Sequence, residues 1–226
     1  RPVQFLGNPF MDPVLLPTPS TADTPAQIGL LPGSRRPELE ANLQLLLRMS
    51  AQLPDNMGIS LEVALVSSLD DTGLNRCANG VGWQLRDGRL ERHGSPAVRV
   101  RRGAFQAVLQ QSDLVISMAG TAAEQAVGLA KPVLQLPGQG PQFTASFAEA
   151  QRRLLGPTVF CAPGDSGSQD NLSTSAQMAL QLLKRIQQNV DFQQQCHTEA
   201  QRRLGSSGGG LRMASAIGGL CPSTAP

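Results

Sequence analysis

The chain has 226 residues, 40% of them hydrophobic and 16% charged, too apolar and too weakly charged for a disordered polypeptide and enough for one large core with appendages. A net charge of +2 gives no bulk attraction to nucleic acid, although two lysines against 17 arginines favour the side chain that meets phosphate as a planar fork. Cys77, Cys161, Cys196 and Cys221 are widely spaced with no C-x-x-C pair, so no metal site is indicated and the thiols read as reduced and structural.

No signal peptide opens the chain, and no apolar run nears the ~20 residues of a membrane span, so a cytosolic protein is expected. The first residue is Arg1, followed at once by an extended segment, and the chain reads as the later part of something longer. Residues 2–6 (PVQFL) suggest a short strand, ended by Gly7-Asn8-Pro9. Pro9, Pro13, Pro17 and Pro19 then mark a linker whose composition resists helix and sheet. Regular structure is predicted to begin with a buried strand at 27–31, turning sharply through Pro32-Gly33-Ser34-Arg35.

A helix follows, with Pro37 in its first turn, Glu38 and Glu40 at the positive end of its dipole, and Leu39, Leu43, Leu46 and Leu53 on one face beside Leu47. Pro54 and Gly58 close it. The second strand, 59–66, is near-continuous in apolar residues except Glu62, as expected where helices cover both faces. A weaker helix is expected at 70–78 and a hairpin over 81–94 about Asp87-Gly88, where Trp83 reads as a core anchor. A strand at 97–100 and a helix at 104–111 lead to a strand at 114–116, a small-residue turn at 117–120 and a helix carrying Glu124.

A strand at 133–136 ends in the loop Pro137-Gly138-Gln139-Gly140-Pro141-Gln142. Next come a helix at 143–155 with Phe143, Phe147, Ala150 and Leu154 at helical spacing, a strand at 158–161 and a polar loop at 164–171. One or two Gln-rich helices over 172–203 place Met178, Leu182, Leu183, Ile186 and Val190 inward, with His197 on the surface. A Gly-rich break at 205–210 precedes a short last helix. Strands alternating with helices in this order predict an α/β fold, a Rossmann-like parallel sheet with helices on both faces and ligands at the carboxyl ends of the strands.

Three segments suit a ligand. The turn at Gly33, Ser34 and Arg35 joins a strand to a helix amino terminus, where backbone N–H groups, a hydroxyl and a guanidinium could hold a diphosphate. It matches neither G-x-G-x-x-G nor a P-loop, and its plain alternative is a tight turn capped by Ser34 with two solvated arginines. Gly120 permits close approach to the backbone, Thr121 can cap the helix, and Glu124, one turn in, can accept both ribose hydroxyls; the alternative is an ordinary helix start. Gln139 and Gln142 are donors and acceptors at once and suit a sugar. A basic run, Arg86, Arg89, Arg92, His93, Arg99, Arg101 and Arg102, could meet an anionic lipid headgroup, or simply protect a solvated sheet edge. No residue set reads as a general base.

Together, LLPGSRRPELEANLQLLL (30–47), DLVISMAGTAAEQAVGLAKPVLQLPG (113–138) and GPQFTASFAEAQRRLLG (140–156) resemble the carboxyl-terminal domain of GT-B glycosyltransferases, in particular lipid A disaccharide synthase and the cyanobacterial synthase-related proteins. The resemblance implies the C-terminal half of a GT-B fold: an interdomain strand and Pro-rich linker over 1–27, a nucleotide-sugar-binding α/β domain over 28–204, and a Gly-rich break, terminal helix and tail over 205–226. It implies a UDP-sugar donor as substrate and no separate cofactor or metal. Gly33, Ser34 and Arg35 then meet the diphosphate, Gly120 and Thr121 lie under the nucleotide, Glu124 holds the ribose, and Gln139 and Gln142 face the sugar or phosphate. The acceptor, expected to be lipid-linked, and the catalytic base would belong to an amino-terminal domain outside these residues. Cytoplasmic placement with peripheral contact at the inner membrane face, and no nucleic-acid partner, complete the expectation. A UDP-GlcNAc 2-epimerase and a non-catalytic nucleotide- or protein-binding module are the alternatives.

Overall fold

The computed structural model describes residues 3–12, 25–138 and 144–219. Pro2, most of the Pro-rich linker, Gln139, Gln142, Phe143 and Cys221, on which expectations were placed, lie outside the described residues.

Eight strands form one sheet in the order β3-β4-β5-β2-β1-β6-β7-β8. These are β1 (Ala26–Leu31), β2 (Ile59–Leu65), β3 (Gln84–Arg86), β4 (Arg89–Glu91), β5 (Val98–Arg102), β6 (Leu114–Ser117), β7 (Val133–Gln135) and β8 (Val159–Cys161). All neighbours from β5 to β8 pair in parallel, and the expected Asp-Gly hairpin adds β3 and β4 as an antiparallel edge. Asp87 and Gly88 both take positive φ, the backbone that a tight two-residue hairpin turn requires. In the centre of the sheet Leu30 pairs with Val63 on one side and Ile116 on the other. The chain leaves β1 toward β2 and β5, then crosses back to lay β6, β7 and β8 on the other side. The gap at the carboxyl ends of β1 and β6 is therefore the point where the winding reverses, the usual place for a ligand in an open α/β sheet.

Alternating side chains of the buried strands feed two cores. Ile28, Leu30, Leu61, Val63, Leu114 and Ile116 meet α1 (Glu38–Ser50), α2 (Asp71–Asn79) and α6 (Gln169–Gln188). Leu31, Val115, Val133 and Val159 meet α3 (Phe105–Gln111), α4 (Gly120–Gly128) and α5 (Ala145–Leu155). The leucine stripe of α1 is buried as its spacing predicts, and Trp83 is fully enclosed. Burial pushes the Cys77 and Cys196 thiols up to about 11 and about 12.

Several expectations fail locally. Residues 3–6 form no strand; Asn8 instead donates its N–H to Leu204 O at 2.8 Å, and Pro9–Met11 makes a 3-10 turn capped by Asn8, with Met11 buried. The Asp12 carboxylate accepts the N–H groups of Gly208, Gly209 and Gly210 at 2.7 to 2.8 Å and so caps α8 (Gly209–Gly218). The last long helix pair starts at Gln169 rather than 172, because Ser168 supplies its cap. Val190 is 74% exposed rather than inward: it opens α7 (Val190–Arg203), whose cap at Asn189 breaks the periodicity carried from α6.

Candidate functional site

Parallel pairing brings the end of β1 beside the end of β6, and Met118 donates its N–H to Leu31 O at 2.9 Å to lock the two exits together. Gly33 then turns with φ of +97°, where an added Cβ would sit 3.7 Å from Ala119 Cβ. Asn42, buried on α1, donates from Nδ2 to Pro32 O at 2.9 Å and holds the turn against its helix. Two segments more than 80 positions apart in sequence thus border one cleft of about 920 Å³. Of the residues expected to bind a ligand, Gly33, Ser34, Arg35, Gly120, Thr121 and Glu124 all line it.

The two arginines of the turn have different tasks. Arg36 pairs with Glu40 at 3.3 Å and donates to Ser68 O at 3.3 Å. Arg35 and Ser34 are exposed and have no side-chain partner among the described residues. Ser34 is not the helix cap: Pro37 occupies the cap position of α1 without a side-chain hydrogen bond. Ser34 therefore does not cap the helix as the plain alternative had it, while the exposed Arg35 is as that alternative describes.

Thr121 does not cap α4 either, because helical geometry already starts at Gly120 and the cap position falls on Ala119, whose side chain has no acceptor. The first bond within α4 runs from Ala123 N–H to Ala119 O at 3.2 Å. The N–H groups of Gly120, Thr121 and Ala122 thus have no partner inside the helix, and all three residues border the cleft. Gly120 has an ordinary φ, and an added Cβ would meet nothing closer than 3.5 Å, so neither backbone nor packing demands glycine there. Glu124 is half-buried on the cleft wall with no ion-pair partner among the described residues, and burial raises its carboxyl above the ordinary range.

Sequence reasoning missed the supports. Gln151 donates to Gly120 O at 2.9 Å and accepts from Gln135 Nε2, tying α5 and β7 to the start of α4. Phe147, Ala150 and Leu154 line the cleft, with Leu154 63% exposed. Their helical spacing was legible, but it belongs to an open wall and not to the core. The available signal was a polar residue set within an apolar stripe: Asn42 among the leucines of α1, and Gln151 between Phe147 and Leu154.

Of the basic run, Arg99 and Arg101 reach the buried Glu62 at 3.4 Å each. Arg102 pairs with Asp71 at 2.6 Å, and Arg92 donates to Val81 O at 3.2 Å. No helix among the described residues is long and apolar enough to cross a membrane.

No protein-family model matches the chain. A lipid-A-disaccharide synthase from Syntrophus aciditrophicus (strain SB) is 27% identical over 142 residues, covering 58% of this chain and 34% of that protein. Among solved structures, a protein assigned as a UDP-N-acetylglucosamine 2-epimerase from Listeria monocytogenes matches with a TM-score of 0.57 at 15% identity, over 94% of this chain and 52% of that one. The spinosyn rhamnosyltransferase SpnG, solved with thymidine diphosphate, matches with a TM-score of 0.50 at 16% identity, over 85% of this chain and 45% of that one. The chain therefore spans from a third to about half of the proteins it matches.

Proposed function

From the premise that the chain has the fold of a GT-B glycosyltransferase domain, we propose that the cleft at the ends of β1 and β6 binds the nucleoside diphosphate of a UDP-sugar. The chain is then the donor half of an enzyme like lipid A disaccharide synthase, transferring a hexosamine-type sugar to a lipid-linked acceptor. One observation carries the reading: a guanidinium without a partner among the described residues, an uncapped helix amino terminus and the half-buried carboxylate of Glu124 all border the same cleft at the point where the sheet winding reverses.

Each group has a task in that chemistry. Arg35 and Ser34 meet the outer phosphate oxygens, while the N–H groups of Gly120, Thr121 and Ala122 and the dipole of α4 meet the inner ones. Gly120 lets the diphosphate come against the backbone, which accounts for a glycine that neither φ nor packing requires. Glu124, as a carboxylate, accepts both ribose hydroxyls. Gln139 and Gln142 complete the sugar end. During transfer these groups stabilise the charge gathering on the departing diphosphate. The base that deprotonates the acceptor hydroxyl is supplied by a domain outside these 226 residues.

A second reading, a UDP-GlcNAc 2-epimerase, is favoured by the likeness to the Listeria protein. Thermal denaturation with and without millimolar UDP tests the binding claim, which predicts a rise in Tm with UDP and none with uridine. Lack of any rise with UDP would count against both enzyme readings. Incubation of the full-length protein with UDP-GlcNAc separates them, because an epimerase yields UDP-ManNAc with no acceptor present.

A further inference from the structure

The part of the cleft wall that α1 supplies carries acceptors that a diphosphate cannot use. Glu38, in the first turn of α1, is half-buried, borders the cleft and has no side-chain partner among the described residues. It is not the residue that steadies Arg36, because that arginine takes Glu40. Leu39 donates its N–H to Arg35 O at 2.8 Å, so Arg35 and Glu38 are held within one turn of chain.

One helical turn on, Asn42 shares that side of α1 and borders the same cleft. A backbone carbonyl only accepts, so the Asn42 amide turns its nitrogen to Pro32 O, at 2.9 Å, and its oxygen away. The side chain is 1% exposed, and its Oδ1 meets no donor among the described residues. A buried acceptor left without a donor is a cost that folding does not recover. What Glu38 and Asn42 leave open are therefore oxygens. Diphosphate oxygens carry no proton at neutral pH and are repelled by a carboxylate, so the missing partner is a group with hydroxyl donors and no negative charge.

Given the nucleoside diphosphate assigned above to this cleft, on which the inference rests, we propose that Glu38, with Asn42 beneath it, reads the sugar of the nucleotide donor. Glu38 and Asn42 Oδ1 accept from the sugar's hydroxyls, and the charge of Glu38 turns away sugars that carry a carboxylate. Two groups are joined to the diphosphate. The ribose is met by Glu124 on α4, which leaves the sugar for α1. A neutral, hydroxyl-rich hexose satisfies both oxygens, whereas a uronic acid sets like charge against Glu38 and is rejected by repulsion.

The test is calorimetric titration of UDP, UDP-GlcNAc and the uronic acid counterpart of UDP-GlcNAc, which differs only in a carboxylate at carbon 6, into the parent and into Glu38→Gln. The parent should bind UDP-GlcNAc about ten-fold more tightly than the uronic acid. Glu38→Gln breaks no internal contact and should keep the parent's Tm. It should narrow that ratio to about two-fold and weaken UDP-GlcNAc by about five-fold. UDP alone should bind the variant slightly more tightly, because a negative charge near the diphosphate is gone. Asn42→Ala disturbs the turn and so weakens UDP as well, but it should weaken UDP-GlcNAc more. Equal or tighter binding of the uronic acid by the parent, or a Glu38→Gln variant that changes UDP and UDP-GlcNAc alike or changes neither, would overturn this inference and leave the nucleotide reading standing. Failure of UDP itself to bind the parent would overturn both.

Discussion

Gly33 and Ala119 face each other across the ends of β1 and β6, close enough that a Cβ on Gly33 would contact the Ala119 methyl at 3.7 Å. That separation is ordinary van der Waals contact, so the requirement for glycine comes from the φ of +97° and not from crowding. Gly33→Ala should therefore cost about 1–3 kcal/mol through the backbone. Because strain at residue 33 also moves Ser34 and Arg35, nucleotide affinity should fall with stability. A variant with unchanged Tm in chemical or thermal denaturation would contradict this account of the turn.

Arg35 and Arg36 should separate cleanly on mutation. Arg36 is engaged with Glu40 and Ser68 O, both at the surface, and its removal should cost no more than about 1 kcal/mol and leave UDP affinity near the parent's. Arg35 supports nothing within the described fold, so Arg35→Ala should leave Tm in the absence of ligand unchanged. Paired melting curves with and without UDP check both statements.

Glu124 gives a pH signature. Its carboxyl, held by burial above the ordinary 4.5, stays protonated in the fold at pH values where the unfolded chain has already ionised. Below 4.5 both states are neutral and the group is without effect. As pH rises past that value the unfolded state releases its proton first, and stability is lost until the folded group ionises as well. Glu124→Gln should therefore melt higher than the parent at pH 7, with the difference closing toward pH 4, while binding UDP about ten-fold more weakly for want of a charged acceptor. A parent that is the more stable at pH 7 would show that the carboxylate has a partner in the fold.

Gln151 tests whether the start of α4 is held from below. Gln151→Ala leaves Gly120 O and Gln135 Nε2 without their partner in a buried setting, which should cost about 1–3 kcal/mol. Faster hydrogen exchange confined to the first turn of α4 would mark the positioning role. Uniform acceleration across the sheet would reduce Gln151 to a packing residue.

Much of this architecture was legible because local chemistry and global fold agree. The runs at 28–31, 61–63 and 114–116 are buried on both faces, and Asp87-Gly88 supplies a backbone that few other pairs adopt. The cleft residues were legible one by one, but their meeting was not, since the parallel register that sets Gly33 beside Ala119 depends on a long-range crossover. Caps misled: Ser34 and Thr121 suit the position, yet the helices start at Glu38 and Gly120, with Pro37 and Ala119 in the cap positions. Periodicity also cannot tell core from cleft: the helical spacing of Phe147, Ala150 and Leu154 does not say that they line an open wall. Residues 3–6 form no strand; Leu6 O instead accepts from Arg212 of α8, and the following Asn8 donates to Leu204 O.

Calorimetric titration of UDP into the parent protein and into Arg35→Ala tests the central claim most directly. Saturable one-site binding by the parent, weakened by about 10- to 100-fold in Arg35→Ala as expected for a lost charge-assisted contact, is the predicted result. No heat with the parent, or equal affinity in the two proteins, would contradict the assignment of the cleft to a nucleoside diphosphate held by Arg35.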